Sequence, residues 1–131
     1  MGDRGRSMIM LNQPAPGAEA SEKDPLYHPG QIVRHRRYGY RGVVVDFDLI
    51  CKADGAWYSF NQTQPDRNQP WYHVLVDGSS DTTYAAQTSL EVDERPASIT
   101  HPYLEHFFTE FTGDRYVRND RPWPSLDEPV E

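Results

Sequence analysis

The sequence lacks the features of several large protein classes. It contains one cysteine, Cys51, so no disulfide can form within the chain, and a scaffold stapled by disulfides is excluded. No apolar run approaches the roughly 20 residues that span a bilayer, and the apolar residues 8–11 are too few for a signal peptide. These absences predict a protein of the reducing cytoplasm with no membrane partner.

Recognisable catalytic and metal-binding motifs are also missing. The chain has no phosphate-binding Walker loop and no nucleophile elbow. Its five histidines lack the spacing of zinc ligands. Asp46 and Asp48 share one face of a predicted strand, but such a pair on an exposed strand is more typical of a solubilising surface than of a catalytic site. We therefore predict no catalytic residue, no metal, no cofactor and no enzymatic activity.

The charge is unevenly distributed along the chain. The net charge is −7, and residues 93–131 carry nine acidic against four basic side chains. In contrast, eight residues without an acid contain four arginines, which are Arg34, Arg36, Arg37 and Arg41. An acidic protein repels nucleic acid on average, yet a local basic cluster can still bind it.

The central part of the sequence is typical of short strands joined by turns. Eleven prolines and nine glycines in 131 residues disfavour long helices. Alternating and β-branched residues predict five strands, over residues 31–36, 42–48, 71–76, 82–86 and 89–92. Residues 37–40 form a predicted hairpin turn around Gly39. Val43, Val45 and Phe47 fall on one face of the second strand. About five antiparallel strands indicate a mainly β fold, a small barrel or a sandwich.

The segments outside these strands have other characters. Residues 1–25 show no periodicity and are predicted to be a disordered leader. Residues 50–69 form a long connection with embedded aromatic residues, a type often linked to function. Further on, Thr100 and Pro102 suit a helix start, and Gly113 suits its end. Apolar residues at helical spacing between them predict an α-helix over about 101–111, packed on the barrel or on a partner. An acidic, proline-rich tail follows.

The arginine cluster is the first candidate binding site. Arginine grips phosphates bidentately, and aromatic rings stack on bases. The predicted nucleic-acid-binding residues are Arg34, Arg36, Arg37, Tyr38, Tyr40 and Arg41. The alternative is a solvated hairpin whose arginines pair with Asp46, Asp48 or the acidic tail.

An aromatic groove is the second candidate site. Its predicted residues are Trp57, Tyr58, Trp71 and His73, because aromatic grooves bind peptides in small β modules. The alternative is that the third strand is covered on both faces, so that its aromatic residues belong to the core. In that case His73 is a hydrogen-bonded structural histidine.

The strand sequences resemble a known family. The blocks that carry the resemblance are GQIVRH at 30–35, YGYRG at 38–42, VVVDFD at 43–48, QPWYHVLV at 69–76 and TYAA at 83–86. Over residues 28–92 the chain is similar to the hemimethylated DNA-binding, or YccV-like, domain family, whose bacterial members include heat-shock protein Q. The resemblance implies an SH3-like β-barrel. It also implies either DNA binding at hemimethylated sites or modulation of an ATP-dependent protease.

These observations lead to one set of predictions. We expect a leader at 1–25, an SH3-like barrel at 26–92, and an extension at 93–131 with a packed C-terminal α-helix. We expect a non-enzymatic module that binds double-stranded DNA through its basic hairpin. The alternative is a stress-response adaptor that modulates an ATP-dependent cytosolic protease through protein–protein contacts. The sequence leaves homo-oligomer formation open.

Overall fold

The computed structural model describes residues 24–60, 64–95 and 97–124. Most of the predicted leader, and the end of the acidic tail at 125–131, lie outside the described residues. Within these ranges, no helix is both long enough and apolar enough to cross a membrane.

The core of the molecule is a five-stranded antiparallel sheet, which confirms the predicted mainly β fold. Its strands are β1 (Ile32–His35), β2 (Arg41–Asp48), β3 (Trp71–Val76), β4 (Thr82–Ala86) and β5 (Leu90–Val92). They lie side by side in the order β4-β3-β2-β1-β5. β4 and β5 are therefore the two edges, although they are joined in sequence by the 3-10 helix Gln87–Ser89. In the described part of the chain no ladder pairs these edges, so a closed barrel is not observed.

β2 contains an irregularity that the sequence pattern does not reveal. The pairing of β2 with β3 shifts register between Val44 and Asp46, as in a β-bulge. A bulge adds one residue to one strand and breaks the strict alternation of its side chains. Phe47 therefore packs with Val44 and Tyr72, whereas Val43 belongs to the cluster on the other face. The prediction that Phe47 shares the face of Val43 is wrong for this reason.

The C-terminal segment folds differently from the prediction. The α-helix predicted over about 101–111 is not confirmed, because only α2 (Leu104–Phe107) is helical. The chain then enters β6 (Phe108–Phe111), which pairs with β7 (Tyr116–Arg118) as a hairpin. Aromatic and β-branched residues suit a strand as well as a helical stripe. Gly113 has a φ of 109° and serves the hairpin turn instead of a helix end.

This segment completes the core on one face of the sheet. Ile99, Phe107, Phe108 and Tyr116 form a buried cluster with residues of the sheet, which are Ile32, Val43, Val45 and Leu75. Phe107 and Phe108 of the predicted apolar stripe thus pack on the sheet, but the packed helix to which they were assigned is not confirmed.

The opposite face has its own core of Tyr27, Val33, Val44, Tyr72, Val74, Ala85 and Leu90. β3 is consequently covered on both sides, as its apolar sequence predicts, and all residues from Trp71 to Leu75 are buried.

The connection between β2 and β3 carries a short helix, α1 (Gly55–Phe60). Its first turn is held by Asp54, whose carboxylate accepts a hydrogen bond from the Trp57 backbone N–H at 2.8 Å. α1 buries none of its residues. The helix places the Trp57 ring against Trp71 of β3 and Tyr84 of β4.

Candidate binding surfaces

The end of β1 and the turn that follows it expose a set of basic and aromatic side chains, called here the hairpin surface. Its members are Arg34, Arg36, Arg37 and Tyr38. Glu91 of β5 contacts two of them, since Arg34 forms a salt bridge with it and Arg36 lies 3.5 Å away. The side chains of Arg34 and Arg36 are nevertheless 52% and 58% exposed. The hairpin surface is therefore cationic but partly neutralised. The residue that neutralises it is Glu91, which the alternative of pairing with Asp46, Asp48 or the acidic tail did not include.

Arg37 differs from its neighbours on this surface. Among the described residues no carboxylate pairs with it, and its guanidinium lies 5.8 Å from the centre of the Tyr38 ring. Tyr38 in turn stacks on His35 at 4.6 Å. His35 is buried, and its Nδ1 accepts hydrogen bonds from the backbone N–H groups of Arg37 and Tyr38. Burial, and secondarily the charge of Arg37, lowers the pKa of His35. A neutral histidine thus shapes the turn.

Arg41 and Tyr40 do not belong to the hairpin surface, although the sequence groups them with it. The Arg41 side chain is 10% exposed and pairs with Asp93 at 2.9 Å and Asp77 at 3.1 Å. It also donates to the backbone carbonyls of Ala97 and Ser98. Tyr40 turns inward, where its hydroxyl lies 2.7 Å from the hydroxyl of Thr83. Arg41 is consequently a structural residue that fastens the C-terminal segment to the sheet.

A groove of about 1160 Å³ runs along edge strand β4 and is called here the aromatic groove. Ring side chains line both of its sides, and the main ones are Tyr38, Trp57, His73, Tyr84, Tyr103 and Trp123. Tyr38, Trp57 and Tyr103 are 53%, 40% and 49% exposed, so their rings are open to a ligand. Because Tyr38 belongs to both, the hairpin surface and the aromatic groove are adjacent.

The predicted groove residues are indeed brought together, but not all of them are open. Trp71 is fully buried and contacts Trp57, Tyr58 and Tyr84, with ring centres 6.1, 6.3 and 5.3 Å from its own. Tyr58 does not line the groove; its hydroxyl donates to the carbonyls of Gln64 and Pro65. Trp71 therefore supports the groove from beneath, which agrees with the core alternative as well.

His73 forms part of a polar network at the floor of the groove. Its ring stacks on Tyr84 at 4.5 Å, and its Nε2 lies 3.5 Å from a carboxylate oxygen of Asp48. The Tyr84 hydroxyl donates to the same oxygen at 2.7 Å. Burial lowers the pKa of His73, against the opposing effect of Asp48, and burial raises the pKa of Tyr84. Both rings are thus neutral near pH 7, and they form an uncharged floor of the groove.

Three of the groove residues lie outside the predicted site. Tyr84 is paired with His73 across the β3–β4 ladder. Because paired residues share a face of the sheet, the pairing of the two predicted strands would have placed Tyr84 beside His73. Tyr103 falls in the segment predicted as a helix over about 101–111, packed on the barrel or on a partner. Trp123 lies in the tail, and no sequence pattern indicates that its ring reaches His73 at 5.4 Å.

Within the ranges that the structure describes, no group of three or more His, Cys, Asp or Glu side chains is arranged to hold a metal ion. Cys51 is buried beside Trp71 and Ala86. The two surfaces consist of cationic, aromatic and hydrogen-bonding groups.

Comparison with known proteins places the chain in a family. The family described as hemimethylated DNA-binding protein YccV like matches residues 25–115. F-box only protein 21 from Mus musculus, Pongo abelii and Homo sapiens is similar to the chain, with 35% identity over 105 residues in each case. These matches cover 78% of the chain but only 17% of each relative's length.

The family match extends past the predicted limit of residue 92 and includes β6. This extent agrees with the structure, in which Ile99, Phe107 and Phe108 form one buried core with residues of the sheet. The chain belongs to the YccV-like family of hemimethylated DNA-binding proteins.

Proposed function

We propose that the chain is a non-enzymatic binding module that binds double-stranded DNA through its hairpin surface. The observation that carries this proposal is the exposure of Arg34, Arg36 and Arg37 on one β-hairpin, in a family described as DNA-binding. Guanidinium groups suit phosphate oxygens, and the Tyr38 ring offers an apolar contact beside them. The strand order and the 3-10 link between β4 and β5 support the proposal that the sheet has the SH3-like arrangement.

The charges predict weak and salt-sensitive binding. Three arginines neutralise at most about three phosphates, which corresponds to a slope of about −3 in log affinity against log salt. Glu91 competes with DNA for Arg34 and Arg36, and the net charge of −7 opposes the approach of DNA. Glu91→Gln is therefore expected to strengthen binding.

Fluorescence anisotropy tests this proposal with methylated, hemimethylated and unmethylated duplexes of one sequence, at low and physiological salt. Arg37→Ala is expected to weaken binding several-fold, because Arg37 has no carboxylate partner among the described residues. Arg121→Ala is the matched control, since it removes the same charge from an exposed position far along the chain. Equal effects of the two substitutions, or no binding at low salt, contradict the proposal.

A second candidate function rests on a different observation, the exposed rings of the aromatic groove. We propose as the alternative that the chain is an adaptor that acts through protein–protein contacts, for example as a stress-response modulator of an ATP-dependent cytosolic protease. Trp57 and Phe60 lie on the same short helix, but only Trp57 lines the groove. If the alternative holds, Trp57→Ala changes the degradation rate of a model substrate by such a protease and Phe60→Ala does not. An unchanged rate on adding the wild-type chain contradicts it.

A further inference from the structure

Edge strand β4 has a row of backbone groups with no neighbouring strand in the part of the chain that the structure describes. The β3–β4 ladder is flanked by hydrogen bonds from Val76 N–H to the Asp81 carbonyl and from Gln87 N–H to the Pro70 carbonyl. Because hydrogen-bonded and non-hydrogen-bonded pairs alternate in an antiparallel ladder, Thr83 and Ala85 bond to β3. The N–H and C=O groups of Thr82 and Tyr84 therefore point away from the sheet, and β4 has no second neighbour among the described strands.

β4 also lacks the usual devices that prevent edge pairing. Natural edge strands are shortened, bulged or interrupted by charged residues and proline. β4 is five residues long, has the uncharged sequence TTYAA, and pairs with β3 without a register shift. The opposite edge, β5, is three residues long and carries Glu91. Of the two edges, β4 is the one open to an added strand.

The aromatic groove follows this edge and offers contacts on both of its faces. Side chains of a strand alternate between faces. On one face Tyr84 lies beside Trp57, with ring centres 5.8 Å apart. On the other face Thr83 contacts Tyr40, which lines the groove together with Tyr38. A strand added to β4 would place successive side chains against these two aromatic sets in turn.

The size and charge of the groove indicate the kind of ligand. A volume of about 1160 Å³ exceeds the roughly 300–1,000 Å³ of small-molecule clefts. The lining contains one lysine and one aspartate among many rings, which suits uncharged side chains. At the hairpin end, the Arg37 guanidinium lies against Tyr38 and has no carboxylate partner in the described ranges. A carboxylate at that end of a ligand would form an ion pair with the Arg37 guanidinium.

We propose that β4 and the aromatic groove bind an extended segment of a partner protein by strand addition. The segment has apolar side chains at alternating positions and an acidic residue at the end next to Arg37. The main-chain groups of Thr82 and Tyr84 hold its backbone, and the rings on the two faces select its side chains. This inference specifies the site of the alternative function and does not require DNA binding, although DNA and the segment would share Arg37 and Tyr38. The test measures binding of the segment directly, because this binding does not depend on a role of the chain in protein turnover.

The test is a selection from a display library of random twelve-residue peptides on the full chain, with counter-selection on Thr82→Pro. Proline removes the outward N–H of Thr82 and leaves the bonds between β3 and β4 intact. Thr82→Val is the matched control because it keeps this N–H. We expect enriched peptides to alternate apolar residues, to include an acid near one end, and to bind Thr82→Pro at least about tenfold more weakly than Thr82→Val.

Two further variants locate the site on the face of the groove. Trp57→Ala is expected to weaken the selected peptides several-fold, whereas Phe60→Ala, whose ring is 88% exposed on the same helix, leaves them unchanged. Failure to enrich any peptide that prefers Thr82→Val to Thr82→Pro overturns the proposal. If sedimentation shows a dimer of the wild-type chain that Thr82→Pro abolishes, the occupant is a second copy and the proposed partner segment is wrong.

Discussion

The Arg41 guanidinium joins two acidic side chains from separate parts of the chain. Its Nε donates to Asp93 at 2.9 Å and its Nη1 to Asp77 at 3.1 Å. The side chains of Arg41 and Asp93 are 10% and 4% exposed, so this ion pair is largely shielded from water. The link holds the chain after β5 against the start of β2 and the turn after β3. It explains why one arginine of a basic cluster serves the fold and not a ligand.

Arg41→Met is therefore expected to destabilise the protein strongly. Removing one partner of a buried pair costs about 3–5 kcal/mol. Because Arg95 still pairs with Asp93 at 2.9 Å, we expect the loss in this variant to lie near the lower end of that range. Urea denaturation measures this free energy of unfolding. Arg37→Met, which removes an exposed charge from the same hairpin, is expected to change it by about 0.5 kcal/mol or less. Similar losses for the two variants would refute the structural role of Arg41.

The same link predicts a loss of stability in acid. Hydrogen bonds from Arg95 and Arg41 hold the pKa of Asp93 well below its ordinary value. A carboxyl group with a lowered folded-state pKa stabilises fully above its unfolded pKa, and this contribution is lost as the pH falls towards the folded value. We expect the free energy of unfolding to drop below about pH 5 through this group. In Asp93→Asn the drop measured by urea denaturation is smaller, and an unchanged slope would contradict the assignment.

His73 predicts a second pH dependence, closer to neutrality. Burial lowers its pKa below the ordinary histidine value, so the folded state favours the neutral ring. Stability from such a group is complete above its unfolded pKa of about 6.5 and decreases as the pH falls below that value. His73→Phe is expected to flatten the stability profile between about pH 7 and 5. The remaining pH dependence of stability in this variant is expected to come from His35, whose pKa is also lowered. The profile is measured by thermal unfolding at constant ionic strength.

Gly30 is expected to tolerate no side chain. Its φ is 98°, and a Cβ there would lie 2.0 Å from the Tyr116 carbonyl oxygen. Its own N–H and C=O bond to Val44 and to Tyr116 at 2.7 and 2.8 Å, which ties β7 to the sheet. Gly30→Ala should therefore displace the backbone and lower the free energy of unfolding by about 3 kcal/mol or more. Gly55→Ala is the control, since nothing lies within 4 Å of its added Cβ. Equal thermal stability of the two variants would show that the close contact at Gly30 relaxes freely.

The strands themselves were predictable from local pattern. The predicted bounds of β3 and β4 agree with the structure, and no bound of β1, β2 or β5 differs by more than one residue. Each of these segments combines β-branched or aromatic residues with nearby turn signals, which is local information. The prediction of a helix over 101–111 is wrong because the spacing of its aromatic residues is compatible with both a helix and a strand. Pairing with β7 in a hairpin, together with burial of Phe108 against the sheet, selects the strand over Phe108–Phe111.

The candidate sites were predictable in composition but not in geometry. The sequence indicates that arginines cluster near a hairpin and that aromatic residues surround β3. It does not indicate that Glu91 reaches Arg34, because this contact requires β5 to lie beside β1. Nor does it indicate that Trp123 covers His73, since the two residues are distant in sequence.

The sequence by itself determined the mainly β fold, the family and the positions of the five strands, because strand periodicity and turn chemistry act over a few residues. Tertiary structure alone decided which side chains remain open to a ligand. It placed Arg41 between Asp77 and Asp93, set Glu91 against two other arginines, and left the uncharged edge of β4 between two sets of rings. These outcomes depend on strand order and register, which bring distant residues into contact and which no local pattern encodes.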